Sequence, residues 1–324
     1  MEKTSIVKRI LIWASNHPLW MIILFFLIFP FIMPYKALAT LILINGLFSL
    51  GFNILYGYTG LLSFGHAAYF GLGAYSVGIL LSRFQTSIWT ALLFSLIVSG
   101  VGSLIIGFFC LRRRGIYFAL LNLAFAQMLY FIAFQWVSLT GGEVGLRNIP
   151  TPALQLPGFS IDIYSPLRFY YFTFIFVTIA LIVLKRILDS PFGRVLEAIR
   201  ENENRARAIG YHTNQVKWLS YIISGVFSGL AGGLYTLYMH FVGIEYLYWT
   251  TSGMVVMMTL LGGAGTFFGP FIGAGVYLYL EDIISIYTKH WMIFVGSIFF
   301  LCVLMFPEGI WGRVKSRIDR LKVS

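Results

Sequence analysis

The sequence predicts an all-α polytopic membrane protein with about ten membrane segments, eight being the lower bound. Of its 324 residues, 59% are hydrophobic and only 11% are charged, whereas soluble globular domains carry about 25% charged residues. The apolar residues form continuous runs, and roughly 20 helical residues are needed to cross a bilayer. They do not alternate with polar residues over long stretches, as the strands of a membrane β-barrel do.

Ten apolar segments account for most of the chain, and Gly-rich breaks interrupt two of the junctions between them. They cover 18–34, 37–56, 67–82, 88–110, 115–137, 168–187, 216–240, 250–262, 270–287 and 290–306. The eighth segment is short, and the second and third meet at a Gly-rich joint. Eight or nine complete spans therefore remain an alternative if either joint is re-entrant.

The distribution of basic residues predicts the orientation of the chain. If the N-terminus is cytoplasmic and ten spans alternate, 18 of the 23 Lys and Arg residues lie on the cytoplasmic side. Such an excess is the positive-inside signal. It predicts two cytoplasmic termini, a cytoplasmic loop at 188–215 and a basic cytoplasmic tail at 307–324. The longest opposite loop, 138–167, is then extracytoplasmic.

A polar stretch at 190–212 is the longest charged interruption between the apolar segments. Its apolar residues recur at helical spacing and its charged residues lie between them, which predicts an amphipathic helix outside the bilayer that stops near Gly210. The apolar positions are Val195, Leu196, Ile199, Ala206 and Ile209. Two interpretations are open: a solvated helix lying on the lipid headgroups, or a docking surface for a soluble partner.

Two stretches with similar sequence indicate a weak internal repeat. Phe64-Gly65-His66 is followed by a Gly-rich helix start, and so is Phe268-Gly269-Pro270. Paired interrupted helices in two halves point to a translocation pathway. Polar neutral residues near such breaks either join helices or line the path. The pathway candidates are Asn45, Asn53, Ser63, Phe64, Gly65, His66, Gly262 and Gly263.

Several kinds of chemistry have no matching motif. No phosphate-binding Gly-Lys-Ser/Thr loop occurs, the scattered His residues predict no metal site, and no cofactor is expected on this chain. The basic residues lie between apolar runs, so the net charge of +11 indicates topology and not nucleic-acid binding. The span interiors lack the carboxylates typical of ion-driven carriers. These features favour a permease, not an enzyme, driven by a separate ATPase; a stand-alone secondary carrier and a lipid-modifying enzyme are the alternatives.

Four blocks resemble the branched-chain amino-acid ABC transporter permeases of the LivM type. Residues 57–75 read GYTGLLSFGHAAYFGLGAY, and 114–120 read RGIYFAL. The third block joins SPFGR at 190–194 to AIREN at 198–202, and 306–309 read FPEG. The blocks occur in order along the chain, with the predicted topology between them.

The resemblance implies one transmembrane domain, 1–324, in a heteromeric importer of the bacterial inner membrane. Its partners would be a LivH-like permease, two cytoplasmic ATPases that bind ATP and Mg, and an extracytoplasmic substrate-binding protein. The expected substrate is Leu, Ile or Val, with urea or a short amide as the alternative. The coupling residues would be Val195, Glu197, Ile199, Arg200, Glu201, Glu203, Arg205 and Ile209. Thr140, Gly141, Gly142 and Glu143 would face the binding protein.

Overall fold

The computed structural model describes residues 18–152, 154–156, 159–161, 163–306 and 308–314. Helices dominate this part of the chain. In chain order they are α1 (Pro18–Ile32), α2 (Lys36–Asn53), α3 (His66–Arg83), α4 (Ile88–Cys110), α5 (Ile116–Gln135), α6 (Pro166–Asp189), α7 (Pro191–Ala208), α8 (Thr213–Met239), α9 (Trp249–Gly262), α10 (Gly269–Tyr287) and α11 (Trp291–Met305). A single turn, Val137–Thr140, follows α5, and α2 continues into a π-helical turn, Ile54–Tyr58.

Ten of these helices coincide with the ten predicted apolar segments, with ends that differ by at most three residues. The remaining helix, α7, is the predicted polar one. Within the described part of the chain, six helical stretches are long and apolar enough to cross a membrane. They are Lys36–Tyr58, Ile88–Cys110, Ile116–Gln135, Pro166–Asp189, Thr213–Met239 and Trp291–Val314. The fold is that of a helical, multi-pass membrane protein.

Burial separates a central helix from peripheral ones. In the most apolar window of Lys36–Tyr58, 94% of the residues are buried, against 33% for Ile88–Cys110 and 28% for Ile116–Gln135. The side chains left exposed on these peripheral helices are mostly large and apolar. An apolar surface of this extent is costly in water but suits lipid or another membrane subunit.

The central packing depends on a stripe of small residues along α8. A Cβ atom added to Gly225 or Gly229 would collide with a serine side chain of α4. The facing serines, including Ser99, are fully buried and donate hydrogen bonds to carbonyls of their own helix. Small side chains on both helices thus bring the two backbones close together. The glycine stripe of α8 therefore serves helix packing.

Several connections lie together at one end of the bundle, which we call the coupling end. They are the π turn and loop at 54–65, the loops 111–115 and 263–268, and the segment 190–212. Hydrogen bonds, an ion pair and close glycine contacts join them to one another. Connections separated by whole helices are therefore held at a common end.

The opposite end is formed by the loop after α5 and the connection between α8 and α9. Leu146 and Val242 exchange two backbone hydrogen bonds of 2.9 Å, and the amide of Ile149 donates to the carbonyl of His240. In the same long loop, an antiparallel hairpin pairs β1 (Leu154–Leu156) with β2 (Phe159–Ile161). This short loop hairpin leaves the predicted all-α class of the described chain unchanged.

The predicted basic tail, 307–324, is described only at 308–314. In that stretch Gly309 packs against the backbone of Gly263, which brings the chain after α11 to the coupling end. The remaining tail residues, and residues 1–17 with their share of the basic residues, lie outside the described part of the chain.

Candidate functional site

The polar helix α7 begins with a strong local signal and is interrupted once. The hydroxyl of Ser190 accepts a hydrogen bond from the amide of Phe192 at 3.2 Å, and Pro191 occupies the first helical position, a combination typical of helix starts. At Asn202 the backbone is non-helical, with φ −160° and ψ 101°. Its side-chain oxygen accepts from the amide of Arg205 at 2.9 Å and so caps a second short helical piece. The predicted single helix is therefore two pieces joined at Asn202.

The apolar side of α7 is buried against the rest of the chain, except at its end. Val195 is 8% exposed and Ile199 is 5% exposed, and Ala206 is buried beside them. Ile209, predicted to anchor the same face, is 68% exposed. The helix ends at Ala208, so Ile209 no longer follows the helical periodicity. The prediction of an anchoring role for Ile209 is wrong.

Three of the charged side chains predicted for coupling point away from the bundle. Glu197, Glu201 and Arg205 are exposed. None of the three forms an ion pair with another residue in the described part of the chain. They leave a surface of mixed charge available for another molecule.

Glu203, by contrast, is engaged by three basic residues of the chain itself. One carboxylate oxygen lies 2.8 Å from the ammonium of Lys217, 2.9 Å from the guanidinium of Arg207 and 3.4 Å from that of Arg114. The Lys217 side chain is only 4% exposed, and an unpaired charge in such a place is costly. Burial of the Glu203 carboxyl opposes its ionisation. The hydrogen bond and charge of Lys217, with the charges of Arg114 and Arg207, outweigh that effect and hold the pKa of Glu203 below its ordinary value.

The guanidinium of Arg200 also reaches the bundle, although the residue as a whole is exposed. Its guanidinium donates a hydrogen bond to the carbonyl oxygen of Gly57, at the end of the π turn. The loop 54–65 is the first Gly-rich break and the loop 263–268 is the second. A Cβ atom on Gly265, in the second break, would collide with the same guanidinium, and one on Gly60, in the first, would lie 3.4 Å from its Cγ. Arg200 therefore lies where the polar helix meets both Gly-rich breaks.

The two breaks are joined by Asn53. Its amide nitrogen donates to the carbonyl of Thr266 at 2.8 Å, and its oxygen accepts from the amide of Gly265 at 2.9 Å. Gly262 and Gly263 close the other side of the second break, where added Cβ atoms would meet backbone atoms of Gly269 and Glu308. These contacts hold the ends of α2 and α9 together at the coupling end.

The remaining polar pathway candidates are also hydrogen-bonded within the protein. Asn45 donates to the carbonyl of Leu41 in its own helix at 3.0 Å. Ser63 bonds the side chain of Asn122 and accepts from the amide of Gly65, both at 3.2 Å. In this conformation these polar groups stabilise the break and the adjoining helix.

His66, at the start of α3, is fully buried. One ring nitrogen, Nε2, lies 2.7 Å from the hydroxyl of Ser224, whereas Nδ1 has no hydrogen-bond partner in the described structure. Phe64, two residues earlier, is 37% exposed. Of the first-break candidates from Ser63 to His66, Phe64 alone presents a substantial exposed surface, while Ser63, Gly65 and His66 are buried.

Sequence reasoning missed a buried polar network beside the first break. The hydroxyl of Tyr69 donates to that of Tyr221, which donates to the side-chain oxygen of Asn122. Asn122 was noticeable as an amide inside an apolar run, but its tyrosine partners resemble ordinary aromatic core residues. Lys217 was likewise noticeable as a cation at the edge of an apolar segment, and the structure supplies its partner.

At the opposite end, the four residues predicted to face a binding protein are not equivalent. The Thr140 hydroxyl is buried, within hydrogen-bond distance of the carbonyls of Ala133 and Trp136, and it accepts from the amide of Gly142. Gly142 is buried and Gly141 is half-buried, but Glu143 is exposed. The Thr-Gly-Gly part closes the end of α5, and Glu143 alone presents a charged side chain.

Comparison with known proteins gives a consistent result. The family described as "Branched-chain amino acid transport system / permease component" matches residues 35–304. The chain is 28% identical to the high-affinity branched-chain amino acid transport permease LivM of Salmonella typhimurium, over 84% of this chain and 69% of that protein. It is 26% identical to the probable LivM of Methanocaldococcus jannaschii, over 80% of this chain and 84% of that protein. It is 27% identical to the autoinducer 2 import permease LsrC of Yersinia enterocolitica, over 56% of this chain and 50% of that protein. No solved structure matched.

The family match covers all ten apolar helices except α1 and the last residue of α11. Proteins of this family are membrane permease components of ABC importers and not enzymes; the ATP is hydrolysed by partner ATPases. The matched range, the multi-pass helical fold and the polar helix together show that this chain belongs to the family of branched-chain amino acid transport system permease components.

Proposed function

We propose that this chain imports branched-chain amino acids and that its 188–215 loop receives the movement of the ATPases. The observation that carries the proposal is the structure of α7. Its apolar side is buried on the bundle, its exposed side carries Glu197, Glu201 and Arg205, and internal bonds through Arg200 and Glu203 fix it to the membrane helices. A helix held in this way transmits a push or a rotation, whereas a loose loop absorbs it.

The residues predicted for ATPase coupling then divide into two groups. Glu197, Glu201, Arg205 and the exposed Ile209 contact the ATPase. Val195, Ile199, Arg200 and Glu203 act from the other side by holding α7 in place. The division follows from burial and bonding. A side chain that is already paired within the chain would have to give up that pairing to bind a second protein, and leaving its internal partner unpaired is costly.

All ten apolar helices cross the membrane, with both termini and the coupling end in the cytoplasm. The asymmetry of basic residues supports this orientation. Four separate connections lie together at the coupling end, as expected if successive helices cross the membrane in alternating directions. The whole chain then forms one permease domain. It works with a second, LivH-like permease, two ATPases that hold ATP and Mg, and an extracytoplasmic binding protein near the 138–167 loop, where Glu143 is exposed.

Leu, Ile or Val is the substrate class that the chain fits best. Two of the similar proteins are named as branched-chain amino acid permeases, and the pathway candidates are neutral. In the present conformation Asn45, Asn53, Ser63 and the neighbouring glycines are buried and bonded, so they would line the path only after the breaks separate. Urea or a short amide is the alternative, and uptake of labelled leucine in competition with valine and urea distinguishes them.

Charge reversal on the exposed face of α7 tests the proposal. The Glu197→Lys/Glu201→Lys variant should lose co-purifying ATPase and ATP-dependent leucine uptake while remaining inserted in the membrane. Glu143→Lys, an exposed glutamate at the opposite end, is the matched control and should keep its ATPase. Equal recovery of ATPase with both variants would contradict the docking role of α7.

A further inference from the structure

The guanidinium of Arg200 lies at the meeting point of three separate pieces of the chain. It extends from α7, donates to the carbonyl of Gly57 in the first break, and lies against the backbone of Gly265 in the second. Gly57 lies 143 residues from Arg200 in the chain and Gly265 lies 65 residues away, so no local regularity of the helix accounts for the contact. The charged end of Arg200 therefore has partners inside the protein.

Two glycines beside Arg200 have positive φ angles. Gly265 has φ +79° and Gly60 has φ +78°, in the left-handed region that favours glycine. A Cβ atom on Gly265 would also overlap the guanidinium of Arg200, whereas one on Gly60 would lie in ordinary contact with its Cγ. Gly265 thus serves both the turn of its loop and the close approach of Arg200, and Gly60 serves the turn of its own loop.

Asn53 extends the same set of contacts from one break to the other. It accepts from the amide of Gly265 and donates to the carbonyl of Thr266. An added Cβ on Gly57 would strike both Asn53 and the amide of Gly265, so the two breaks lie in direct contact. If Arg200 moves, the change acts on the Gly57 carbonyl in the first break and on the 263–268 loop that packs against the guanidinium.

We propose that the contact between the two Gly-rich breaks is a gate at the coupling end, and that Arg200 is a positioning residue that holds this gate shut by joining α7 to both breaks. This inference rests on the proposed function, because it takes α7 as the element that the ATPases move. When α7 shifts, the charge-assisted bond to Gly57 breaks, Gly265 loses the guanidinium packed against it, and the breaks separate. A bond between a cation and a carbonyl is strong enough to bias such an equilibrium and weak enough to be broken in each cycle.

The proposal assigns Arg200 and Arg205 different tasks, although both are arginines of α7. Both residues are exposed, but the guanidinium of Arg200 is hydrogen-bonded to the bundle, whereas that of Arg205 has no hydrogen bond or ion pair in the described part of the chain and so belongs to the docking face. Arg200 controls the gate and contributes little to docking. The two residues form a matched pair that differs in the direction of the side chain.

The test uses a thiol placed in the second break. Ala264→Cys, half-buried between Gly263 and Gly265, reports opening by its reaction with a membrane-impermeant maleimide in nanodiscs. The background carries Cys302→Ser, and Cys110 stays because it is fully buried. Parent protein without the new cysteine gives the residual labelling.

In the full complex without ATP, Arg200→Ala should raise the labelling rate at Ala264→Cys by about tenfold, as expected for the loss of one charge-assisted bond. It should keep its ATPases, and their hydrolysis should no longer depend on loaded binding protein. Arg205→Ala should leave labelling unchanged and weaken ATPase recovery. Arg200→Lys retains a donor and should label between wild type and Arg200→Ala, which separates gating from a folding defect.

Labelling of Arg200→Ala at the wild-type rate would overturn the gate. So would loss of ATPase from Arg200→Ala to the same extent as from Arg205→Ala with no change in labelling. Failure of the proposed function looks different: ATPase recovery would then be unaffected by Glu197→Lys/Glu201→Lys, whatever the labelling at the break.

Discussion

Removal of the Glu203 charge should detach the second piece of α7 from the membrane helices. Glu203→Gln keeps the size of the side chain but leaves Lys217, 4% exposed, and two nearby arginines without their counter-charge. The substitution therefore converts a paired, nearly buried ammonium into an unpaired one.

The magnitude follows from the burial of the two partners. Breaking a fully buried ion pair by removing one partner costs about 3–5 kcal/mol. Because the Glu203 side chain is 21% exposed, solvent screens part of the charge, and about 2–3 kcal/mol is the appropriate range. At 1.36 kcal/mol per decade, the local opening constant rises roughly 30- to 160-fold.

Amide hydrogen exchange in nanodiscs measures this opening directly. In peptides covering 203–212, the amide exchange rate should rise by the same factor as the opening constant, roughly 30- to 160-fold. The exchange rate of peptides from the interior of α8 should be unchanged. Glu201→Gln is the matched control, since Glu201 is exposed two residues away and has no ion pair in the described part of the chain. It should change protection by less than about twofold, as surface charges usually do.

A second substitution shows whether the orphaned lysine is the cause. Adding Lys217→Met to Glu203→Gln removes the buried cation and should restore most of the protection, giving a clearly non-additive cycle. Equal loss of protection in Glu203→Gln and Glu201→Gln would show that the Glu203 charge does not hold α7 in place. Additive effects of Glu203→Gln and Lys217→Met would show that the unpaired lysine is not the cause.

Three further outcomes are expected. The Glu203 carboxylate has a lowered pKa, so its contribution to the protection of the 203–212 amides is complete at pH 7. It should disappear as the pH falls below about 4.3 toward that lowered value, an acid dependence that Glu203→Gln should lack in hydrogen exchange. Gly229→Leu should destabilise the α4–α8 packing by about 1–3 kcal/mol, which thermal unfolding in detergent would show as a lower melting temperature. Gly253→Leu should leave the melting temperature unchanged, because an added Cβ there meets nothing within 4 Å. Cysteines at Glu143 and Asn202 should label from outside and from inside respectively, and the reverse pattern would overturn the topology.

Local sequence signals were sufficient for the helices but not for the roles of the charges on α7. The apolar runs located ten helices because length and hydropathy are properties of each segment alone. The start at Ser190-Pro191 followed in the same way. The interruption at Asn202 had no glycine or proline to announce it, and the end of the helix at Ala208 left Ile209 off the apolar face.

The partners of the polar residues were beyond reach for a different reason. Arg200 and Glu203 lie in a charged stretch, and the family resemblance implied that they pair with charges of an ATPase. Their partners, Gly57 and Lys217, become neighbours only through the packing of distant helices. Asn53 shows the same limit, because an amide in an apolar run predicts a hydrogen bond but not its partner on the loop at 263–268.

Purification of the chain in a mild detergent, with identification of its companions and an uptake assay after reconstitution, tests whether it is a permease subunit whose cytoplasmic helix receives the movement of separate ATPases. We expect an ATPase and a second permease in the complex, and leucine uptake that requires ATP and a binding protein. A chain that purifies alone and transports substrate without ATP would instead be a stand-alone carrier.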